Sequence, residues 1–283
     1  MAVPGPSPTV NTQFLSDDGV WNFSDFADTV ELNNFPASFG AQIRMFAGND
    51  IVRGTNFNSP GWANQVNGNL GTDGLFGNVL RDKFLGGKEA DGLFGLAGAD
   101  WLNGNDGDDL VNGGAENDIL RGGKNIDSLI GEAGDDILVG DFGQDALAGG
   151  AGNDRFVLRT DSAIENGVLL KNTSANSAEV DFISDFSTAA GNKDKIVIPG
   201  VSSFAQLDLA DTIIDGFSGT LISFTAAAGG ERIGFVDDIN SAFLGAGGGS
   251  NFVLGATADD FLSKITTEYF LTNPNMATML IPV

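Results

Sequence analysis

Aspartate returns at every ninth position through ninety residues of this sequence, and these carboxylates are the groups most able to do chemistry. They are Asp73, Asp82, Asp91, Asp100, Asp109, Asp118, Asp127, Asp136, Asp145 and Asp154. Carboxylates held close together repel one another unless a cation lies between them. Because carboxylate and main-chain carbonyl oxygens are hard ligands, the cation that such a set favours is calcium rather than a softer metal.

Two further residue types repeat in phase with the aspartates and indicate what positions them. Each nine-residue unit opens with glycine, from Gly68 to Gly149, and has a large apolar residue at its eighth position, from Leu75 to Phe156. Glycine permits a tight turn, and the residues after the aspartate can form a short strand whose middle side chain points inward. Two units therefore make one coil of turn, strand, turn and strand. Since one coil cannot bury its apolar row alone, several must stack.

Stacking coils of two units sorts the aspartates into two columns. The first column holds Asp73, Asp91, Asp109, Asp127 and Asp145, and the second column holds Asp82, Asp100, Asp118, Asp136 and Asp154. Neighbours in a column are expected at the spacing of adjacent strands, about 4.8 Å. The sequence therefore predicts an all-β fold, a parallel β-roll of nonapeptide repeats with an N-terminal β cap and a C-terminal antiparallel β region.

The repeat resembles that of the RTX, or haemolysin-type calcium-binding, proteins, whose nonapeptide reads Gly-Gly-x-Gly-x-Asp-x-apolar-x. Residues 149–157 match it at every fixed position, and residues 95–103 and 131–139 miss only the second glycine. Four units depart at the fourth position, where they have Leu80, Glu89, Glu116 and Asn125. The resemblance implies calcium bound in the turns of a secreted protein that is exported in one step by an uncleaved C-terminal signal.

With calcium as the cofactor, the candidate metal ligands are the ten aspartates, Asp50 and oxygens of the glycine turns. Asp50 belongs to a degenerate repeat at residues 46–52, where Val52 takes the apolar position. The turn residues are Gly71, Gly98, Gly107, Gly134, Gly143, Gly152 and Asn153.

Composition excludes several classes of function. The 283 residues include 38 acidic and 14 basic side chains, for a net charge of −24, which argues against binding nucleic acid or anionic membranes. There is no histidine and no cysteine. Disulfides, the common zinc sites and Ser-His-Asp or Cys-His catalytic sets are therefore excluded. No apolar run has the length of a membrane span, so we expect no membrane insertion.

The chain divides into four segments around the repeats. Residues 1–13 are a proline-rich tail, and residues 14–67 form an N-terminal cap that contains the degenerate repeat and a loop inserted from Gly54 to Val66. Residues 68–157 are the ten-repeat roll. Residues 158–283 form the C-terminal β cap and secretion-signal region, beginning with a polar loop at 161–180. The N-terminus has neither a basic region nor an apolar core, so we expect secretion without a cleaved N-terminal signal.

The residues leave three functions open. The first is a structural or adhesive component of the cell surface or extracellular space, which the apolar outward positions of the predicted strands favour if they contact a partner. The alternative interpretation of these positions is that the chain's own flanking segments cover them. The second is a carbohydrate-binding or accessory module of a secreted polysaccharide-acting enzyme system, with Trp62 or Trp101 as the sugar platform. The third is a hydrolase that uses paired carboxylates, and it is disfavoured because the repeats and turns account for almost every acid.

The expected partners are calcium, and then either further copies of the chain or an extracellular polysaccharide. The outward apolar residues are Phe76, Phe94, Leu110 and Ile130 on one sheet, and Leu85, Trp101, Ile119, Ile137, Val139 and Val157 on the other.

Overall fold

The computed structural model is an all-β solenoid, and it describes residues 64–160 without interruption. Shorter described stretches are 14–15, 21–23, 25–32, 42–54, 162–165, 168–171, 180–190, 192–228, 230–245 and 251–254. The predicted tail at 1–13, most of the inserted loop with Trp62, and the end of the chain after residue 254 lie outside the described residues.

Two sheets face each other, each with eleven strands among the described residues. In spatial order, the first sheet comprises β1 (Phe14–Leu15), β2 (Trp21–Asn22), β4 (Gln42–Arg44), β6 (Gln65–Leu70), β8 (Lys83–Lys88), β10 (Trp101–Asp106), β12 (Ile119–Lys124), β14 (Ile137–Phe142), β16 (Arg155–Val157), β20 (Lys195–Ile198) and β24 (Phe252–Leu254). In spatial order, the second sheet comprises β21 (Leu207–Ile214), β22 (Phe217–Phe224), β23 (Arg232–Asp237), β19 (Asp181–Ile183), β15 (Ala146–Ala151), β13 (Ser128–Ala133), β11 (Leu110–Ala115), β9 (Gly92–Ala97), β7 (Gly74–Asn78), β5 (Ile51–Arg53) and β3 (Thr29–Glu31).

Strand register confirms that two nonapeptides make one coil. Strand β10 pairs in parallel with β12, with Trp101 opposite Ile119 and Leu102 opposite Leu120, a shift of eighteen residues. The second sheet has the same shift, with Val111 opposite Leu129. The strands are longer than the three residues predicted, because most of them continue through the first glycine of the next unit.

The core lies between the two sheets and is built from the eighth position of each unit. The side chains from Leu75 to Phe156 in this row are completely buried. The row continues through Ile43, Val52 and Val66 on one side and Ile183 and Ile196 on the other, in one cluster. Full burial of such a side chain contributes about 1.5–3 kcal/mol, so the stack is stabilised by a continuous apolar column.

The roll extends beyond the ten repeats in both directions. Strands β4 and β5 pair in parallel with β6 and β7, and β19 and β20 pair in parallel with β15 and β16. The predicted antiparallel region is confirmed in β21, β22 and β23, although β23 itself joins the roll in parallel with β19. Residues 161–180 are not wholly a loop, because β17 (Ser162–Glu165) and β18 (Val168–Lys171) form an antiparallel hairpin.

Helical structure is minor in the described part of the chain. It consists of α1 (Ser241–Leu244) and two single 3₁₀ turns, Phe204–Gln206 and Ala226–Ala228. None of this helical structure has the length and hydrophobicity that crossing a membrane requires.

The outer face of the first sheet is covered by the chain itself. Ile119, Ile137, Val139, Val157 and Val197 form a second apolar cluster and are at most 4% exposed. These residues are at outward apolar positions of the repeats, and their burial confirms the expectation that the chain itself covers this part of the surface, so the strip is not free for a partner. The outer face of the second sheet is more open, with Leu110 39% exposed.

Truncation of a core residue tests the role of the apolar column. Leu120→Ala removes a fully buried side chain and should lower the free energy of unfolding by about 2–5 kcal/mol. The matched control Leu110→Ala, on the outer face, should cost about 1 kcal/mol or less. Urea denaturation in saturating calcium measures both, and equal losses would contradict the assigned core.

Candidate metal centre

The ten repeat aspartates lie in the turns between the sheets, and each is at most 4% exposed. The main-chain N–H of one aspartate donates to Oδ1 of the aspartate one coil later in the same column. Between repeat aspartates these bonds measure 2.6–2.9 Å. Each carboxylate is therefore fixed by one oxygen, and the two predicted columns are continuous hydrogen-bonded ladders.

The second oxygen of most of these carboxylates is unpaired. Oδ2 has no hydrogen-bond donor among the described residues at eleven buried aspartates: Asp50, Asp73, Asp91, Asp100, Asp109, Asp118, Asp127, Asp136, Asp145, Asp154 and Asp181. A buried charged oxygen without a donor is costly. A row of such oxygens indicates positions where a positive ion completes the structure.

The glycine that opens each unit makes room for that second oxygen. A Cβ placed on Gly113 would lie within 3 Å of Oδ2 of Asp118, and one on Gly95 would meet both Oδ2 of Asp100 and the carbonyl oxygen of Gly113. The opening glycines of all ten units show the same crowding by their own aspartate. The glycine column is therefore required by the packing of carboxylate and carbonyl oxygens around it.

Left-handed backbone at the second and fourth positions shapes the turns. In nine of the ten units both positions have φ between 70° and 158°, including the non-glycine residues Leu96, Glu89, Glu116 and Asn125. Left-handed backbone is strained for residues with a side chain. Glu89 and Glu116 gain a compensating contact, because their carboxylates accept hydrogen bonds from the N–H groups of Gly71 and Gly98 in the preceding coil, at 2.8 and 2.5 Å.

Comparison with known protein families agrees with this geometry. A family model described as the RTX calcium-binding nonapeptide repeat, in four copies, matches residues 85–120 and again residues 121–156. Residues 85–156 are RTX calcium-binding repeats. The matched segments contain eight of the ten units, and calcium is the metal that such repeats bind.

Two solved structures are similar to the chain at low superposition scores. The AlgE6R2 subunit of the mannuronan C5-epimerase from Azotobacter vinelandii is 24% identical over 64% of this chain and 92% of its own, with a TM-score of 0.26. The AlgE6R3 subunit of the same enzyme is 23% identical over 71% of this chain and 82% of its own, with a TM-score of 0.24. Scores this low establish no shared function. No curated protein matches the chain.

The donor chemistry of the turns fits calcium. In the described part of the chain, no three acidic side chains are arranged to hold a metal by themselves. A site in an RTX turn must therefore combine one or two carboxylate oxygens with main-chain carbonyls, and calcium accepts six to eight oxygen ligands of both kinds. Bound there, the ion supplies the positive charge that the unpaired Oδ2 atoms lack.

Burial without a cation raises the pKa values of the carboxyl groups in the RTX turns. Desolvation raises the pKa of Asp118 and Asp127 to about 9 and that of Asp91 and Asp100 to about 8. Main-chain hydrogen bonds oppose this rise, and neighbouring aspartates add to it. At neutral pH the calcium-free roll must either hold protons or bear uncompensated buried charge, and both are relieved by calcium.

The structure adds four polar residues to the columns that sequence reasoning missed. Asp28 and Asp181 extend the first column, and Asn64 and Asp194 extend the second, through the same main-chain bonds. All four keep one part of the repeat, since Asp28, Asn64, Asp181 and Asp194 each have an apolar residue two positions later. That spacing was the available signal, and it was overlooked because the glycines are absent.

Adding a methyl group to an opening glycine tests the oxygen packing. Gly113→Ala should displace the Asp118 carboxylate and raise the calcium concentration needed for folding several-fold. Gly74→Ala is the control. The nearest atom to the added Cβ would be a ring atom of the Phe76 side chain, at 3.3 Å, and this side chain can move away. Calcium titration followed by far-UV circular dichroism measures the midpoints, and identical midpoints would contradict the crowding.

The pH dependence of the calcium-free protein tests the raised pKa values. Unfolded aspartate titrates near pH 3.9, so between about pH 4 and 9 the folded calcium-free chain holds more protons than the unfolded chain. Its free energy of unfolding must then fall as the pH rises. In metal-free buffer, the strand signal in circular dichroism should be greater at pH 6 than at pH 8.5.

Saturating calcium is the control for this measurement. With calcium bound, the carboxylates are ionised in both folded and unfolded states, so stability should change little between the same two pH values. Greater order at pH 8.5 than at pH 6 without metal would show that the assigned burial is wrong.

Proposed function

We propose that this protein is a secreted calcium-binding β-roll that folds on calcium and serves as a structural or adhesive component outside the cell or at its surface. The observation that carries the proposal is the set of eleven buried Oδ2 atoms without a hydrogen-bond donor. They make calcium part of the fold, where it stabilises the structure and takes no part in a reaction.

The ligands in this proposal are the repeat aspartates other than Asp82, together with Asp50 and oxygens of the turns. The turn oxygens are those of Gly71, Gly98, Gly107, Gly134, Gly143, Gly152 and Asn153. Asn153 also joins neighbouring coils, since its amide donates to Asp135 at 2.9 Å and its oxygen accepts from the N–H of Lys193 at 3.1 Å.

Weak calcium binding suits a protein that is exported before it folds. Extracellular calcium modules bind at about 10⁻⁴–10⁻³ M, so the roll stays open at cytosolic calcium, where its carboxylates repel one another. Outside the cell, calcium binds only the folded form and shifts the equilibrium towards it. RTX repeat proteins are typically extracellular.

A structural role is supported by the hydrogen bonds that the buried aspartates make. The described aspartates with strongly raised pKa values belong to the two ladders, where they are fixed by main-chain N–H groups. The sequence also contains no histidine or cysteine. We therefore propose a non-catalytic protein.

Self-association would use the outer face of the second sheet. Leu110 is 39% exposed on this face, and Phe76 and Phe94 of the same sheet stack with ring centroids 4.9 Å apart. The first sheet exposes less apolar surface for association, because its apolar strip is covered by the chain itself.

Carbohydrate binding remains the alternative, and Trp101 and the Phe76–Phe94 stack give it little support. The ring of Trp101 has the Lys83 ammonium group over one face, 4.5 Å from its centroid. In the Phe76–Phe94 stack, the Arg53 guanidinium lies 5.7 Å from the centroid of Phe76. A sugar platform needs a free ring face, and at these residues a face is already occupied.

Light scattering after size-exclusion chromatography tests the structural role. In about 5 mM calcium, above the affinity range of extracellular modules, the mass should increase with protein concentration and return to that of one chain in chelator. Leu110→Ser should reduce this assembly, whereas Val253→Ser, in β24 of the first sheet and also 39% exposed, should not.

A calcium-loaded protein that stays monomeric at every concentration would overturn the structural-subunit role. Retardation of that monomer in polysaccharide-containing gels would then establish the alternative.

A further inference from the structure

The aspartates at the ends of the two columns differ in how their carboxylates are satisfied. In the first column Oδ2 is unpaired from Asp50, before the ten repeats, to Asp181, after them. In the second column it is unpaired only from Asp100 to Asp154. The end members of the second column, Asp82 and Asp194, accept hydrogen bonds at both oxygens. The two edges of the roll are therefore unequal.

Asp82 is fully satisfied by the protein. Its Oδ1 accepts from the main-chain N–H and the side-chain amide of Asn64, at 2.9 and 2.5 Å. Its Oδ2 accepts from the main-chain N–H of Asn78 at 2.8 Å. Three donors around one buried carboxylate supply the positive electrostatic environment that a cation would otherwise provide.

The conformation of the turn explains why Asp82 is different. Residues 77–85 are the unit in which neither the second nor the fourth position, Asn78 and Leu80, has a positive φ. Leucine disfavours left-handed backbone, and the Asn78 side chain holds the alternative turn by accepting from the N–H of Leu80 at 2.6 Å. The N–H of Asn78 then donates to Asp82, and an N–H group at that place repels a metal ion.

Asp194 closes the other end of the second column in the same way. Its Oδ1 accepts from the N–H of Asp154 at 3.0 Å, and its Oδ2 accepts from the N–H of Ser187 at 2.7 Å. Both ends of this column are thus completed by main-chain donors.

Asp181 has the opposite character. It is 1% exposed, its Oδ1 accepts from the N–H of Asp145 at 3.2 Å, and its Oδ2 has no donor among the described residues. The neighbouring Oδ2 of Asp145 is also unpaired. Asp141 also acts electrostatically on Asp181, and it is paired with Arg121 and Arg159. The side chains of Asp145 and Asp181 also interact with each other. Two buried carboxylates in contact cannot both be ionised without a positive ion between them.

We propose that the calcium ions of this roll are distributed unequally, with a site at Asp145 and Asp181 that lies beyond the repeats, and metal-free caps at Asp82 and Asp194. On the first edge the calcium column spans Asp50 to Asp181, and on the second edge it is confined to Asp100 to Asp154. The proposal rests on the calcium-folded roll proposed above and specifies which of its turns bind metal.

Counting the calcium ions bound per chain tests the distribution. Equilibrium dialysis in about 5 mM calcium, followed by elemental analysis, gives the count for the wild type and for four substitutions that each remove one charge. Asp181→Asn and the positive control Asp118→Asn should bind fewer ions than the wild type. Asp82→Asn and Asp194→Asn should bind the same number, because their carboxylates already have protein donors.

If a charge-removing variant does not fold, a variant that is expected to bind an additional calcium ion still tests the distribution. The double substitution Asn78→Gly and Leu80→Gly allows both positions to become left-handed and frees Oδ2 of Asp82, so it should add about one ion. Asn105→Gly is the matched control, because position 105 already has φ 78°, and it should add none.

The possible results separate the distribution from the calcium-folded roll itself. A full complement of ions in folded Asp181→Asn, a loss of ions in Asp82→Asn or Asp194→Asn, or no gain in the double variant would overturn the distribution while leaving the roll intact. A wild-type chain that binds no calcium would instead reject the proposed function.

Discussion

The structure depends on the burial of carboxylates in turns that stack at the separation of neighbouring strands, about 4.8 Å. Each is fixed through one oxygen by a main-chain N–H of the preceding coil, and in the described part of the chain eleven leave the other oxygen without a donor. The apolar column between the sheets favours a closed roll, but the buried charges oppose it. We propose that calcium removes that opposition, so that metal binding and folding form one equilibrium.

The remaining features of the repeat follow from the same arrangement. The opening glycine leaves space for the unpaired oxygen, and the left-handed second and fourth positions turn the chain tightly enough for the oxygens to converge. Residues 77–85 show the converse, because with Asn78 and Leu80 outside the left-handed region the carboxylate of Asp82 is satisfied by N–H groups. A local change of backbone conformation thus replaces a metal requirement by hydrogen bonds.

Much of this could be predicted from the sequence because the coil is a local structure. The eighteen-residue register, the core row from Leu75 to Phe156 and the two aspartate columns all follow from the nonapeptide period. Asp181 and Asp194 were missed because β19 and β20 join the roll after long insertions and without the glycines that mark a repeat. The burial of Ile119 and Val139 agrees with the expectation that the chain itself covers part of the outward apolar surface, but the repeat pattern does not encode which part is covered.

Small-angle X-ray scattering in chelator and then in about 5 mM calcium tests the central claim most directly, because it follows the size of the chain as the ion binds. A compact chain of this length has a radius of gyration near 19 Å, against about 59 Å when unfolded. The account predicts an expanded chain in chelator that contracts towards the compact value when calcium is added. A chain equally compact without calcium at pH 8.5 would show that the buried carboxylates do not need the ion, and would contradict the account.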